Sequence, residues 1–196
     1  MPLGAFKAAL MGTAGATAAG DVVLLSTQTA SDSASLTFSS GITSTYGEYI
    51  FSFYNINCDE DEKHFGFQVN AVGASGYNET ITSSSIKVRH TENDATTELA
   101  YGADVMDLAQ ATTYQLISEN TSYSADAHYS GTLHLFNPSS STYVKHFQVR
   151  GVDEVNAQIK DLYVAGYINT TTAIDDINFK FTSGTFTGKI KMWGVK

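Results

Sequence analysis

The end of the chain constrains its fold most strongly, because residues 174–196 alternate in polarity around a Ser-Gly turn. Before the turn, Phe179 and Phe181 fall on one face of an extended segment and polar residues fall on the other. After the turn, lysines alternate with Ile190 and Met192. Such a pattern predicts two antiparallel strands that place the C-terminus inside a sheet, as in a closed sandwich or barrel.

Similar alternation recurs along the chain from Asp21 onward, at intervals of about ten to fifteen residues that are typical of a β-sandwich. Tyr49, Phe51 and Phe53 share one face, and Phe65 and Phe67 share another, so these rings are expected to form facing core layers. The predicted strands are 22–26, 35–39, 48–55, 64–72, 85–90, 96–100, 131–136, 142–150, 161–168, 177–182 and 185–193.

The number of strands predicts an all-β fold, a jelly-roll-like antiparallel β-sandwich over residues 21–196 with an N-terminal arm over residues 1–20. An immunoglobulin-like sandwich is the second choice, since it would be shorter. The strongest helical candidate is 104–117, where Val105, Leu108, Ala109 and Leu116 have helical spacing and Thr112-Thr113 favours two short pieces.

The N-terminal arm differs in composition from the rest of the chain. Leu3, Phe6, Leu10 and Met11 are expected to form one apolar docking face, and small residues follow up to Gly20. Glycines interrupt its apolar stretch and its lysine lies inside that stretch, which favours an uncleaved arm over a signal peptide. The alternative for this segment is a flexible tail.

Composition excludes several classes of function. The net charge is −9 and the chain has two arginines, Arg89 and Arg150, which argues against a nucleic-acid partner. Charged residues make up 16%, against about 25% in ordinary domains. No apolar run is long enough for a membrane helix, so no membrane insertion is expected. The sole cysteine, Cys58, precedes four acidic residues that should raise its thiol pKa, which disfavours a nucleophilic role.

Two groups of side chains are weighed as metal sites. The acidic run 59–62 lacks the spacing of a calcium-binding loop, so a solvated hairpin loop is favoured. His128, His134 and His146 lie near one predicted hairpin, and a zinc site there would need a further ligand that no neighbouring residue supplies. No nucleophile elbow, phosphate loop or zinc-protease motif is present. We therefore predict no enzyme activity, no metal and no cofactor.

Tyrosines at or near predicted loops and strand ends are the candidate surface contacts, because a tyrosine ring can anchor a protein partner or stack on a sugar. These residues are Tyr46, Tyr77, Tyr114, Tyr123, Tyr129 and Tyr143.

Six segments resemble a family of small virion proteins from marine podophages and related tailed phages: 1–10, 44–53, 67–71, 133–140, 164–171 and 183–194. The resemblance implies a non-enzymatic virion protein with no active site to transfer. It implies a location on the head or tail surface of the particle.

Capsid decoration, in which the protein cements capsomers, is preferred over a tail-fibre or receptor-binding role, because the chain is short and has no repeat typical of a fibre shaft. A free carbohydrate-binding module is the competing class. The expected partners are further copies of the chain, with a trimer as one form, capsid or tail proteins reached by the arm, and a host surface glycan in the receptor-binding alternative.

Overall fold

The computed structural model describes residues 21–102 and 105–196, whose regular elements are all strands. Each of the eleven predicted strands overlaps a strand of the structure, and the two-residue β7 is the addition. The strands are β1 (Val22–Ser33), β2 (Leu36–Phe38), β3 (Glu48–Cys58), β4 (Phe65–Ala71), β5 (Ile81–Thr91), β6 (Thr97–Tyr101), β7 (Gln115–Leu116), β8 (Tyr129–Phe136), β9 (Lys145–Glu154), β10 (Gln158–Ile168), β11 (Ile174–Phe181) and β12 (Phe186–Val195). In the described part of the chain, no helix is long and apolar enough to cross a membrane.

The strands form two antiparallel sheets, which confirms the all-β sandwich. The larger sheet has the order β1-β12-β3-β8-β9-β10-β5-β6, and the smaller has the order β2-β11-β4-β7. Leaving β5, β6, β9 and β10 aside, the other eight strands run in the orders first-eighth-third-sixth and second-seventh-fourth-fifth. That is the connectivity of two Greek keys wrapped into a jelly roll.

The four remaining strands are two hairpins inserted into the jelly roll. One hairpin, β5–β6, follows β4, and the other, β9–β10, follows β8. Both add to the β8 side of the larger sheet, where β9 pairs with β8 and β10 pairs with both β9 and β5. We call these four strands the sheet extension. The larger sheet is therefore twice as wide as the sheet that packs against it.

The core between the two sheets is built around Phe179 of β11. Its ring centroid lies 5.3–6.4 Å from those of five other buried phenylalanines, which come from both sheets: Phe38, Phe51, Phe53, Phe65 and Phe67. Several of these pairs are edge-to-face or tilted, which suits the charge distribution of aromatic rings. The predicted facing layers of β3, β4 and β11 are thus confirmed.

The predicted helix over 104–117 is wrong, because residues 105–117 pair their backbone with neighbouring strands. Ala111 and Ile81 exchange backbone hydrogen bonds of 2.8 and 3.1 Å. Leu108 accepts from the Ser83 amide at 2.9 Å and donates to the Ser83 hydroxyl at 3.0 Å. The helical spacing of apolar residues is overridden by these tertiary pairings.

Replacing Phe179 with alanine should lower the free energy of unfolding by about 3–5 kcal/mol, because five rings lose their common neighbour and a cavity is left. Urea denaturation followed by tryptophan fluorescence measures the change. Tyr143→Ala, at a side chain that is mostly exposed, is the matched control and should cost less than about 1 kcal/mol. Equal losses in the two variants would contradict the assignment of Phe179 as the centre of the core.

Candidate interaction surface on the larger sheet

The outer face of the sheet extension carries a set of exposed apolar side chains. Alternation along its strands directs these residues away from the core, and Leu99 and Tyr101 of β6 are 76% and 66% exposed. The register places most of them in two adjacent rows, Val152–Asp161–Val88–Leu99 and Arg150–Tyr163–Ile86–Tyr101, in which Asp161 and Arg150 are the charged members; Ile159 lies in the next row. We call the following residues the apolar outer patch: Ile86, Val88, Leu99, Tyr101, Val152, Ile159 and Tyr163. A contiguous exposed apolar surface of this kind usually marks a site of interaction.

A groove of about 380 Å³ borders this patch on the outer face. Small residues such as Ser84 and Ala165 help to line it, together with larger side chains that include His134, Gln148, Arg150 and Tyr163.

One wall of the groove is polar, and an ion pair between β9 and β10 holds it in place. The Arg150 guanidinium donates two hydrogen bonds to Asp161, at 3.0 and 3.3 Å, and lies 5.0 Å from the centre of the Tyr163 ring. On the opposite side of the groove, His134 Nδ1 lies 2.5 Å from Glu48 Oε1. A planar cation held on a tyrosine ring keeps its position, so the groove has an ordered polar edge beside an aromatic side chain.

Part of the inner face of the extension has the opposite character, because it holds charged residues beside the core residues Phe147, Val149 and Leu162. Lys87 and Arg89 of β5 point inward while Ile86 and Val88 point outward, so the usual polarity of a sandwich strand is inverted here. The charge cluster on this face consists of Lys87, Arg89, Glu98, Glu119, Asp153 and Lys160; Asp153 and Lys160 are buried, and the closest pair, Arg89–Glu98, is 2.8 Å apart and partly exposed. Glu119 comes from the 117–127 segment, whose contacts with β5 and β10 place it across this inner face.

Asp153 of β9 is the most constrained member of the cluster. It is fully buried opposite Tyr129 of β8 and Lys160 of β10, and its two carboxylate oxygens have no hydrogen-bond partner within 3.5 Å among the described residues. Burial raises its pKa to about 7, since the nearby Lys160 ammonium and the Glu119 amide offset that burial only in part. Burial also lowers the pKa of Lys160 and raises that of Tyr129.

The acidic loop after β3 fastens the closing hairpin. Asp59 accepts hydrogen bonds from the amide and hydroxyl of Thr185, at 2.7 and 2.9 Å, and these bonds lower its pKa. Glu60 accepts from the Ser183 hydroxyl at 2.8 Å and pairs with Lys63 at 3.3 Å. The carboxylates of Asp59 and Glu60 are therefore directed at the β11–β12 turn, whereas Asp61 accepts from the Tyr123 amide at 3.0 Å. Within residues 21–102 and 105–196, no group of three or more potential metal ligands comes together.

Two further predictions concern Cys58 and the histidines. Cys58 is buried, and burial is the main cause of its raised pKa, with the charges of Asp59 and Glu60 contributing as predicted.

Strands β8 and β9 do pair, but His134 lies opposite Gln148 rather than opposite His146. His128 contacts the Asp126 carbonyl at 3.2 Å.

The six candidate tyrosines are not equivalent in the structure. Tyr123 and Tyr143 are largely exposed, as predicted for surface contacts. Tyr46 packs against the core at 5.9 Å from Tyr49. Tyr114 donates to Asn178 at 2.8 Å, and Tyr77 is half-buried.

The assignment of Tyr129 to the surface is wrong, because this ring is fully buried at the start of β8. Gly151 on β9 makes the room, since a Cβ atom there would lie 2.2 Å from the Tyr129 ring. The ring packs at 5.9 and 6.0 Å from Phe53 and Phe65.

The docking residues proposed in the arm, Leu3, Phe6, Leu10 and Met11, lie outside the described residues. The residues of the apolar outer patch were missed as a site. The sequence does show Ile86 and Val88 alternating with Lys87 and Arg89, but alternation alone does not show whether the apolar pair or the charged pair faces water.

Asp153→Asn should remove a pH-dependent cost of folding. An unfolded chain releases this proton near pH 3.8, whereas the folded protein keeps it up to about pH 7. The carboxyl therefore destabilises the fold increasingly between these two values and by a constant amount above them. Between pH 4 and pH 8 the stability of the variant relative to the native protein should rise by an amount on the order of a few kcal/mol.

Chemical denaturation across this pH range measures the change. The exposed Asp126→Asn variant is the control for loss of a surface carboxylate. A difference between Asp153→Asn and the native protein that stays constant from pH 4 to pH 8 would contradict the raised pKa.

Comparison with known proteins gives distant likenesses only. No protein-family model matches the chain, and no curated protein matches its sequence. A solved protein of unknown function from Bacteroides ovatus is similar at 8% identity and a TM-score of 0.20, over 72% of this chain and 45% of that one. A glycoside hydrolase family 16 endo-glucanase from the same organism is similar at 10% identity and a TM-score of 0.26, over 89% and 86%. The VP2 subviral particle of infectious bursal disease virus is similar at 10% identity and a TM-score of 0.16, over 91% and 42%. At these scores the likenesses identify neither a family nor a function.

Proposed function

We propose that this chain is a non-enzymatic virion structural protein of a tailed phage, namely a decoration protein that assembles as a homo-oligomer and cements the capsid. The observation that carries the proposal is the apolar outer patch on the sheet extension. Two of its residues, Leu99 and Tyr101, are more than half exposed, and this area favours burial against another protein. The sequence resemblance to phage virion proteins agrees with this use.

A cementing protein needs two separate contact regions, and the fold provides for two. Asp21, where the N-terminal arm joins the body, lies at the β1 edge of the larger sheet, and its carbonyl accepts a hydrogen bond from the Lys196 amide at 2.9 Å. The apolar outer patch ends at β6, which is the opposite edge. With about 4.8 Å between neighbouring strands, the two edges are roughly 34 Å apart along the sheet. One edge can therefore face the particle through the arm while the other faces a neighbouring subunit.

Removal of residues 1–16 should abolish binding to phage heads and leave the body folded, because β1 and its pairing with β12 begin after this segment. Co-sedimentation of the shortened protein with undecorated particles measures binding, and its thermal unfolding should match that of the full chain within a few degrees. A full-chain Phe6→Glu variant is the matched point change and should weaken binding in the same direction. Undiminished binding by the shortened protein would contradict the anchoring role of the arm.

A second candidate, binding of a host glycan in a receptor-binding role, is favoured by the groove beside Tyr163. An aromatic ring next to fixed polar groups suits a sugar, whose apolar face stacks on the ring while its hydroxyls bond to the polar groups. Arg150 and Gln148 could supply such bonds from the groove wall. This binding would use the same outer face as self-association, so a variant that affects the groove alone is needed to separate the two functions.

If the glycan role is correct, Tyr163→Ala should weaken binding to a glycan-array hit by about tenfold, because the stacking surface is lost. Tyr143→Ala, which removes an exposed ring that does not line the groove, should leave the affinity unchanged. Absence of any array hit for the full chain, or equal losses in the two variants, would exclude the groove as a glycan site.

A further inference from the structure

Two sheets have four edges, and these edges differ in how far they resist pairing with another chain. In the smaller sheet the edge strands β2 and β7 have three and two residues. In the larger sheet the edge strand β1 is interrupted by irregularities between Leu24 and Ser26 and between Ala30 and Ser33. Short strands and bulges are the usual protections of a sheet edge. The fourth edge, β6, pairs with β5 in unbroken register from Thr97 to Tyr101.

The hydrogen bonds that flank β6 show which of its backbone groups face outward. The Gly102 amide donates to the Ser85 carbonyl at 2.8 Å, and the Thr91 amide donates to the Thr96 carbonyl at 3.1 Å. In an antiparallel ladder hydrogen-bonded residues alternate, so residues 96, 98, 100 and 102 face β5. Thr97, Leu99 and Tyr101 therefore direct their amides and carbonyls to the free edge, where no strand of residues 21–102 and 105–196 pairs with them.

Charge does not protect this edge. Glu98 is the sole charged residue of β6, and its side chain lies on the inner face, 2.8 Å from Arg89 and 3.9 Å from Lys87. The outward-facing residues are uncharged, and Leu99 and Tyr101 belong to the apolar outer patch. The edge thus combines unpaired backbone groups with exposed apolar side chains, which is a template for adding a strand.

The same edge is self-complementary under a two-fold axis. If Leu99 lies opposite Leu99 of a second copy, Thr97 faces Tyr101 and Glu98 faces Ala100, so no like charges oppose each other. Each of the three outward-facing pairs then exchanges two backbone hydrogen bonds. The apolar outer patches of the two copies become one continuous surface, and an isologous contact of this kind closes as a dimer.

We propose that β6 is the seam of a two-fold homodimer, in which two larger sheets join edge to edge with Leu99 at the axis. This inference deepens the proposed function, because it names the contact that builds the homo-oligomer. A seam of this type gives a dimer, whereas the trimer expected as one form from the sequence would need a head-to-tail contact.

Cysteine cross-linking in the full chain tests the register. A Leu99→Cys variant should form a disulfide-linked dimer under mild oxidation, because facing hydrogen-bonded residues have Cα atoms about 5.5 Å apart, within the reach of a disulfide. Thr97→Cys is the matched control on the same strand. In the proposed register two such residues lie about 14 Å apart, so this variant should stay unlinked. The native Cys58 is buried and does not compete.

Sedimentation over a concentration series tests the seam by a second route. The native chain should reach twice its monomer mass of 21.1 kDa. Leu99→Pro removes an amide that faces outward and not one that bonds to β5, so it should weaken self-association at least about tenfold while the protein stays folded. Ile159→Lys, within the apolar outer patch but on β10, should still dimerise.

The outcomes separate the seam from the proposed function. Absence of a Leu99→Cys cross-link, an equal cross-link through Thr97→Cys, or a dimer that survives Leu99→Pro would overturn the seam even if the protein decorates particles. A dimer that cross-links through Leu99→Cys but does not bind particles would support the seam and overturn the decoration role. A native chain that stays monomeric at all concentrations would overturn both the seam and the homo-oligomer.

Discussion

The unequal width of the two sheets is the constraint on which the rest of the structure depends. An eight-stranded sheet cannot be covered fully by a four-stranded one, and although Phe147 of β9 contacts Phe67 of β4 at 5.1 Å, the smaller sheet leaves part of the four extension strands without a sheet opposite them. Residues 105–127, which are mostly irregular, cover part of their inner face instead, through hydrogen bonds to Ser83 and ion pairs from Glu119. A loop cannot cover a sheet with a continuous apolar layer, because its own backbone groups need partners. The part of the inner face that this segment covers is correspondingly polar and charged, whereas Phe147, Val149 and Leu162 of the same face belong to the apolar core.

This arrangement explains the inverted polarity of β5 and its cost. Arg89 and Lys87 are turned inward because carboxylates from β6 and the covering segment meet them there, and their apolar neighbours Ile86 and Val88 are thereby turned to the outside. Buried ion pairs contribute little net stability, since their desolvation offsets most of their attraction. Asp153 is less favourable still, because it is fully buried and its carboxylate has no hydrogen-bond partner within 3.5 Å among the described residues. The inward-facing charges and the outward-facing apolar residues therefore both lower the free energy of unfolding of the isolated chain. Burial of the apolar outer patch in an assembly would offset part of that loss.

The jelly roll could be predicted from the sequence because its strands follow the rule that apolar residues face inward, as Phe51 and Phe179 do. The rule also holds for β9 and β10, where Phe147, Val149 and Leu162 are buried. It fails for residues 86–89 of β5, where alternation is present but its sign is reversed, so the outer patch could not be recognised from Ile86 and Val88 alone. Val105 and Leu108 have helical spacing in the sequence, which predicted a helix. A periodic pattern does not reveal that the backbone of this segment pairs with β5. Tyr129 could not be placed either, because its burial depends on the space above Gly151, which is remote in sequence. Each of these errors concerns long-range pairing and none concerns local propensity.

The position of the β6 edge relative to the arm decides what shape of assembly the fold can build. If two copies join through β6, their larger sheets form one surface whose outer edges are the two β1 strands, about 70 Å apart along the sheet. Asp21, the residue that follows the proposed arm, would then lie at each far end of the dimer, because it lies at the β1 edge in each copy. A dimer with an arm at each end can contact two neighbouring particle subunits at once, and linking two weak contacts raises the overall affinity without any new interface. A subunit that bound through its arm alone would have no use for an apolar surface at the opposite edge of its sheet, so the location of that surface favours a bridging role over a single-point attachment.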